Sequence, residues 1–206
     1  MEEKRQLSNM KESTKRNLAK SALNLLGWRI KDESLVDETA PKRCVILLAE
    51  HTSYADFPMA KLIGTALGIK PTILVSHVFF EGIFAPLGKV LMWLGCAPLN
   101  KTNAKAAMVR VTKDLAKKDI RIAICPEGVL HYIDHWKKGF YILAKTAKAP
   151  VIILEMDFHN KTASVLPEVV ELTGNKKEDM DKFRRLVKRT CGKYPDKVGQ
   201  VRLLDE

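Results

Sequence analysis

Several features are scarce in this sequence of 206 residues, and each scarcity excludes something. Cysteine occurs four times, as Cys44, Cys96, Cys125 and Cys191, with no CxxC pair. Such spacing does not make a disulfide framework. Cys44, Cys96 and Cys125 lie inside apolar stretches and read as buried thiols in a reducing compartment. Aromatic residues make up only 7%, and no zinc finger, RNP-like motif or recognition helix is evident, so nucleic acid is not an expected partner. The most apolar stretch, residues 78–99, carries Glu81 and Lys89 and is broken by Gly82, Pro86, Gly88 and Gly95. A membrane-spanning helix needs about 20 predominantly apolar residues, so no transmembrane span is expected. The polar start MEEKRQLSNMKEST has none of the features of a secretory leader. Internal repeats, low-complexity tracts and flexible linkers are missing too. The expectation is a soluble or peripheral intracellular protein.

What is present suits one folded domain: 46% apolar and 29% charged residues in a chain long enough to bury a sizeable core. Lys plus Arg number 35 against 24 Asp plus Glu, a net charge of +11, which favours an anionic partner such as a phosphorylated substrate or an acidic membrane surface. Residues 1–26 read as a basic amphipathic helix. Leu7, Met10, Leu18, Ala22 and Leu25 form one stripe, and Lys4, Arg5, Lys11, Lys15, Arg16 and Lys20 supply charge. Such a helix either lies on an anionic bilayer or packs on the domain surface.

Residues 27–206 alternate between short apolar runs and helical patterns. Strands are expected at 44–49, 72–76, 121–125 and 151–156, with 162–166 pairing beside the last. Helices are expected at about 54–67, 104–118, 136–147 and 176–190, the last forming a charged C-terminal helical tail. Residues 78–94 are helical or irregular. This alternation is that of an α/β layered fold with helices on both sheet faces. In such folds ligands gather beyond the carboxyl ends of the strands, which points to the HTSYAD turn after the first strand and the CPEG turn after RIAIC.

In the first turn, His51 and Asp56 would diverge by about 140° if both lay on one helix. They converge only if His51 sits in the turn and Asp56 in the first helical turn. A carboxylate there would fix the imidazole tautomer and raise its basicity, as a general base requires. Ser53 and Asp56 also have the spacing of a capping box, in which Asp56 merely satisfies backbone donors. In the second turn, Glu127 of Cys125-Pro126-Glu127-Gly128 would ordinarily be a solvated loop residue. His131 and His135, with Asp134 beside them, could share a helical face, but no HExxH glutamate or third ligand accompanies them, so no metal is expected. Gly82 to Gly88-Lys89 has five intervening residues and is followed by Val90, which does not make a phosphate-binding loop, and no GxSxG elbow occurs.

Taken together, AEHTSYADF with His51 and Asp56, the span from Gly95 to Lys101, CPEGVL with Glu127 and Gly128, and WKKGFYILAKTAKAPVIIL resemble the ordered blocks of the phospholipid/glycerol acyltransferase superfamily. The lysophosphatidic acid acyltransferases belong to it, and the phrasing looks like a small soluble branch. The resemblance implies a central mixed, mostly parallel sheet flanked by helices. It also implies an O-acyltransferase that moves a fatty acyl group from acyl-CoA or acyl carrier protein to a lysophospholipid or glycerolipid hydroxyl. His51 would be general base and Asp56 its partner. Lys101, Glu127, Gly128 and Lys137 would shape the acceptor site, and no cofactor is required. The protein would work on the cytoplasmic face of an anionic membrane. Two departures bear on the acceptor. Val129-Leu130 stands where the family has Thr-Arg, and Lys101 replaces an Arg, which removes bidentate phosphate recognition. A non-catalytic lipid- or acyl-CoA-binding relative is the alternative of a different class.

Overall fold

The computed structural model describes residues 2–32, 38–100, 104–189 and 191–205. Helix α1 covers Glu2–Leu25, and strand β1 covers Arg29–Asp32. Strand β2 (Cys44–Ala49) leads into helix α2 (Asp56–Leu67), and β3 (Thr72–Ser76) into two short 3₁₀ turns and helix α3 (Ala85–Trp93). Strand β4 (Cys96–Leu99), helix α4 (Ala104–Lys117), strand β5 (Arg121–Ile124) and helix α5 (Gly139–Ala147) follow. Strands β6 (Val151–Asp157) and β7 (Thr162–Val165) precede helix α6 (Lys176–Leu186).

The seven strands form one sheet in the order β1-β7-β6-β2-β5-β3-β4. Strands β6, β2, β5, β3 and β4 run parallel, while β7 is antiparallel to β6 and β1 is parallel to β7. This is the expected mixed, mostly parallel sheet. The period of two along β2 splits its side chains between two cores. Cys44, Ile46 and Leu48 pack with Ala19 and Leu23 of α1, with Ile63 and Leu67 of α2 and with Leu91 of α3. Val45, Leu47 and Ala49 pack with Leu115 of α4, Phe140 and Leu143 of α5, and Met180 and Phe183 of α6. The first three helices therefore cover one sheet face and the last three the other.

Local chemistry sets the boundaries. Helix α2 closes on Gly68, whose φ of +75° suits a residue without a side chain. Asn175 caps α6 by accepting from the Glu178 N–H. The two strands not anticipated, β1 and β4, are both sheet edges. RIKD is too charged and CAPL too short and proline-bearing to read as strands, yet both are tolerated where only one side must pair. Two expected helices are shorter. Helix α5 begins at Gly139 instead of near 136, and the residues before it are held outside the helix, the Trp136 N–H on the Arg202 carbonyl and the Lys137 N–H on the Pro126 carbonyl. Helix α6 ends at Leu186, where Val187 turns extended and buries itself, so the described chain beyond it is a packed irregular tail with one 3₁₀ turn.

Strand β2 lies between β6 and β5 in the middle of the sheet. Its register with β5 pairs Leu47 with Ile124, so both strands finish at the same edge. The turn carrying His51 and the turn carrying Glu127 are therefore neighbours in space although far apart in sequence.

Candidate active site

Asp56 is the first residue of α2 and is 2% exposed. Its Oδ2 accepts the backbone N–H groups of Thr52 and Ser53, each at 2.9 Å, and lies 3.0 Å from His51 Nδ1. Ser53 Oγ accepts the Ala55 N–H at 3.1 Å. The expected capping box does not form, because the N-cap of α2 is Ala55 and carries no side-chain cap, but one Asp56 oxygen serves both the backbone donors of the turn and the imidazole. Because Oδ2 is an acceptor held by two backbone donors, Nδ1 is the donating nitrogen and Nε2 the basic one. Burial of the imidazole works against its charged form. The hydrogen bond that the ring donates to Asp56, the contact with Cys125 and the negative charge of the carboxylate outweigh burial, and the His51 pKa rises above its ordinary 6.5. Burial also pushes the Cys125 thiol up, so it stays protonated beside the imidazole.

Glu127 is not the solvated loop residue that its turn suggested: it is 3% exposed. The backbone N–H groups of Glu127 and of His51 reach its carboxylate, while burial pushes its pKa up to about 7. Among the described residues of this region, Glu50 Oε1, Asp56 Oδ1 and Glu127 Oε2 are buried without a hydrogen-bond partner. Gly128 has a φ of +63°, and a side chain there would come within 3.3 Å of Lys137 Cδ and Nζ. Lys137 is brought onto this turn by its N–H, bonded to the Pro126 carbonyl at 2.9 Å. The structure thus gathers His51, Asp56, Glu127, Gly128 and Lys137 at one sheet edge. Lys101 lies outside the described residues.

The rim is apolar. Tyr54, 74% exposed in the His51 turn, stacks edge-on against Phe79 with centroids 6.4 Å apart, and Phe79 meets Phe84 at 6.1 Å. The helical face imagined for His131 and His135 does not form, because residues 125–138 are irregular. His135 Nδ1 is 2.6 Å from an oxygen of Asp134, which the Arg202 guanidinium also grips. No metal-binding group of three or more His, Cys, Asp or Glu occurs among the described residues. None of the described helices is long and apolar enough to cross a membrane.

One buried carboxylate of this region went unread in the sequence. Glu50, directly before His51 and 5% exposed, accepts the N–H groups of Cys191 and Gly192 at 3.1 and 3.0 Å. Its partners lie 141 and 142 residues away, and no local pattern marks such a contact.

Comparison with known proteins adds two findings. The family model described as Acyltransferase matches residues 30–156, a span that contains both turns. Among solved structures, the fold is similar to the crystal structure of the 1-acyl-sn-glycerophosphate (LPA) acyltransferase PlsC from Thermotoga maritima, with a TM-score of 0.60. The two are 15% identical, and the match covers 86% of this chain and 77% of that one. At that identity the likeness speaks for the fold alone. No curated protein matches the sequence.

Proposed function

Because the chain belongs to the acyltransferase family, we propose that it transfers a fatty acyl group from acyl-CoA or acyl carrier protein to a hydroxyl of a lysophospholipid or glycerolipid acceptor, such as 1-acylglycerol-3-phosphate. The observation that carries this reading is the single Asp56 oxygen, fixed by two backbone N–H groups and lying 3.0 Å from His51 Nδ1. That arrangement makes Nε2 the nitrogen that accepts a proton. In the proposed step Nε2 removes the proton from the acceptor hydroxyl as its oxygen attacks the thioester carbonyl. The C–O bond forms, the C–S bond breaks, and the imidazolium returns the proton to the leaving sulfur. Asp56 stabilises the imidazolium while it exists. General-base assistance of this kind contributes about 10²–10⁴ in rate, so positioning of both substrates supplies the remainder.

Glu127 and Gly128 shape the acceptor side of the site, and Lys137, with Lys101, offers cations to a phosphate. With Val129-Leu130 in the second turn there is no guanidinium at that place, which supports acceptors that do not need a bidentate phosphate clamp. The anionic membrane surface is the proposed second partner. On α1 the buried residues are Ala19 and Leu23, while Leu7, Met10, Leu18 and Leu25 face outward. On the same sheet face, Ile83 is 88% and Trp93 83% exposed around α3, with Lys11, Lys15 and Lys89 among the exposed charges. Apolar side chains interspersed with lysine and tryptophan suit the headgroup boundary of a bilayer.

The test is an assay of the purified protein with liposomes, acyl-CoA and a panel of lysolipids, read by mass spectrometry. Wild type is expected to form acylated lipid and His51→Ala none, with its fold retained by circular dichroism. Equal product from both proteins, or none from wild type across the panel, refutes the reading and favours a non-catalytic binding relative.

A further inference from the structure

The tail after α6 lies beyond the residues matched by the family, yet it is fastened to the His51 turn and to the irregular segment that follows the Glu127 turn. Glu50 Oε2 accepts the Cys191 and Gly192 N–H groups, and Thr52 Oγ1 accepts the Tyr194 N–H at 3.2 Å. These contacts flank His51 on both sides. Gly192 sits so close that a Cβ would come within 2.9 Å of Thr52 Cγ2 and 3.1 Å of its Oγ1, so only glycine lets the tail lie on this turn without displacement. The Cys191 carbonyl accepts the Phe158 N–H at the end of β6, which ties the same segment to the sheet. Further along, Val198, Val201 and Leu203 are buried. Arg202 donates to the Asp134 carbonyl and carboxylate at 2.8 and 2.9 Å, and its own carbonyl accepts the Trp136 N–H, beside Lys137.

We propose that Glu50 is a positioning residue for the acyl-transfer step and that residues 191–194 form a clamp which holds the His51 turn in its working geometry. The proposal rests on the acyltransferase reading above. A buried carboxylate is costly unless hydrogen-bonded, so an ordinary packing position would not hold one. Glu50 is kept there by two N–H donors, which oppose the effect of burial, while the neighbouring Glu127 carboxylate adds to it. Asp56 fixes the imidazole ring and, through the Thr52 and Ser53 N–H groups, one side of the turn, whereas Glu50 and the Thr52 hydroxyl fasten the other side of that backbone to the tail. Removing the clamp leaves the turn held from the Asp56 side only. A misplacement of about 1 Å at a reacting group costs on the order of 10²-fold in rate.

The test compares wild type with Glu50→Ala, Glu50→Gln and Gly192→Ala, all well below their melting temperatures. Glu50→Ala is expected to lower kcat by about 10–100-fold with the KM of either substrate changed less than twofold, because positioning and not binding is lost. Glu50→Gln keeps an oxygen for both N–H donors and is expected to recover most of that loss. Gly192→Ala pushes the tail off Thr52 from the other side and is expected to mimic Glu50→Ala. Two readouts do not depend on turnover. Amide exchange at Cys191 and Gly192 is expected to quicken in Glu50→Ala, and the His51 imidazole pKa, followed by NMR, to fall towards 6.5 as its contact with Asp56 loosens. Unchanged kcat and unchanged imidazole titration in a folded Glu50→Ala overturn the proposal, as does a Gln variant no better than Ala. If wild type acylates nothing on the panel, the acyltransferase reading fails, while exchange and imidazole titration still decide whether the clamp holds the turn.

Discussion

Replacing Asp56 with asparagine separates the two tasks performed by its Oδ2. The amide oxygen of Asn can occupy the same place and accept from Thr52 N–H, Ser53 N–H and His51 Nδ1–H, so the turn and the imidazole tautomer are kept. What disappears is the negative charge. A hydrogen bond to a charged group contributes about 1.5–3 kcal/mol and a neutral one about 0.5–1.5. The imidazolium formed during transfer therefore loses roughly 1–2 kcal/mol of stabilisation, a drop in kcat of about 5–30-fold. A tautomer flip would cost far more, on the order of 10⁴-fold in a serine protease triad. The pH dependence has a definite sign. The acidic limb of kcat/KM reports the free-enzyme imidazole, which must be neutral to act, and in wild type it lies above pH 6.5 because the His51 pKa is raised. In Asp56→Asn the limb moves to lower pH, so the variant is least impaired in acid and most impaired at high pH. The same raised pKa gives the folded protein stability below about pH 6.5 that is lost as pH rises through the folded value, and this slope flattens in the variant. Rate profiles and thermal melts from pH 5 to 11 measure both, because the His51 pKa is raised to about 10. A limb that stays in place, or moves upward, refutes the pairing of Asp56 with His51 as the source of the raised basicity.

Gly128→Ala places a side chain at a φ of +63° and against Lys137, and is expected to cost about 1–2 kcal/mol in thermal stability. Displacing the Lys137 ammonium is expected to raise KM for a phosphorylated acceptor by about tenfold, the loss of one hydrogen bond to a charged group. The KM for a neutral glycerolipid is expected to change little, and an equal rise for both would remove Lys137 from acceptor recognition. For membrane docking, Ile83→Asp with Trp93→Asp is expected to cut sedimentation with anionic liposomes at least about tenfold, since each apolar side chain contributes about 1.5–3 kcal/mol when buried. Leu18→Asp with Leu25→Asp tests the outward stripe of α1 in the same way. Binding unchanged in both pairs would take the docking role away from this sheet face.

The central strands were legible in the sequence for a physical reason. CVILLA, TILVS, RIAI and VIILEM must be apolar in both registers, because helices cover both sides of the sheet. The edge strands RIKD and CAPL carry no such constraint, and they were missed. Helical periodicity around Trp136 misled because the buried apolar side chain there packs in the core from an irregular segment, tied to the distant Arg202 carbonyl. At the site, the His51–Asp56 spacing was readable because the relevant contacts are local. The capping box itself does not form, since the N-cap is Ala55, but Asp56 does satisfy backbone donors as that alternative held. Glu127 was underestimated because burial depends on which turns the sheet brings together, and Glu50 because its partners lie at the far end of the chain.

That distance has an energetic side. Joining residue 50 to residues 191 and 192 closes a loop whose entropic cost, by the logarithmic law, is on the order of 4 kcal/mol. Two buried hydrogen bonds, one half-buried hydrogen bond and a glycine contact are set against it, whereas the sheet is held by two complete cores. The working shape of the His51 turn therefore rests on far fewer contacts than the sheet does. It can be lost and regained by local opening while the sheet stays intact, so the enzyme loses its competence well before it loses its fold.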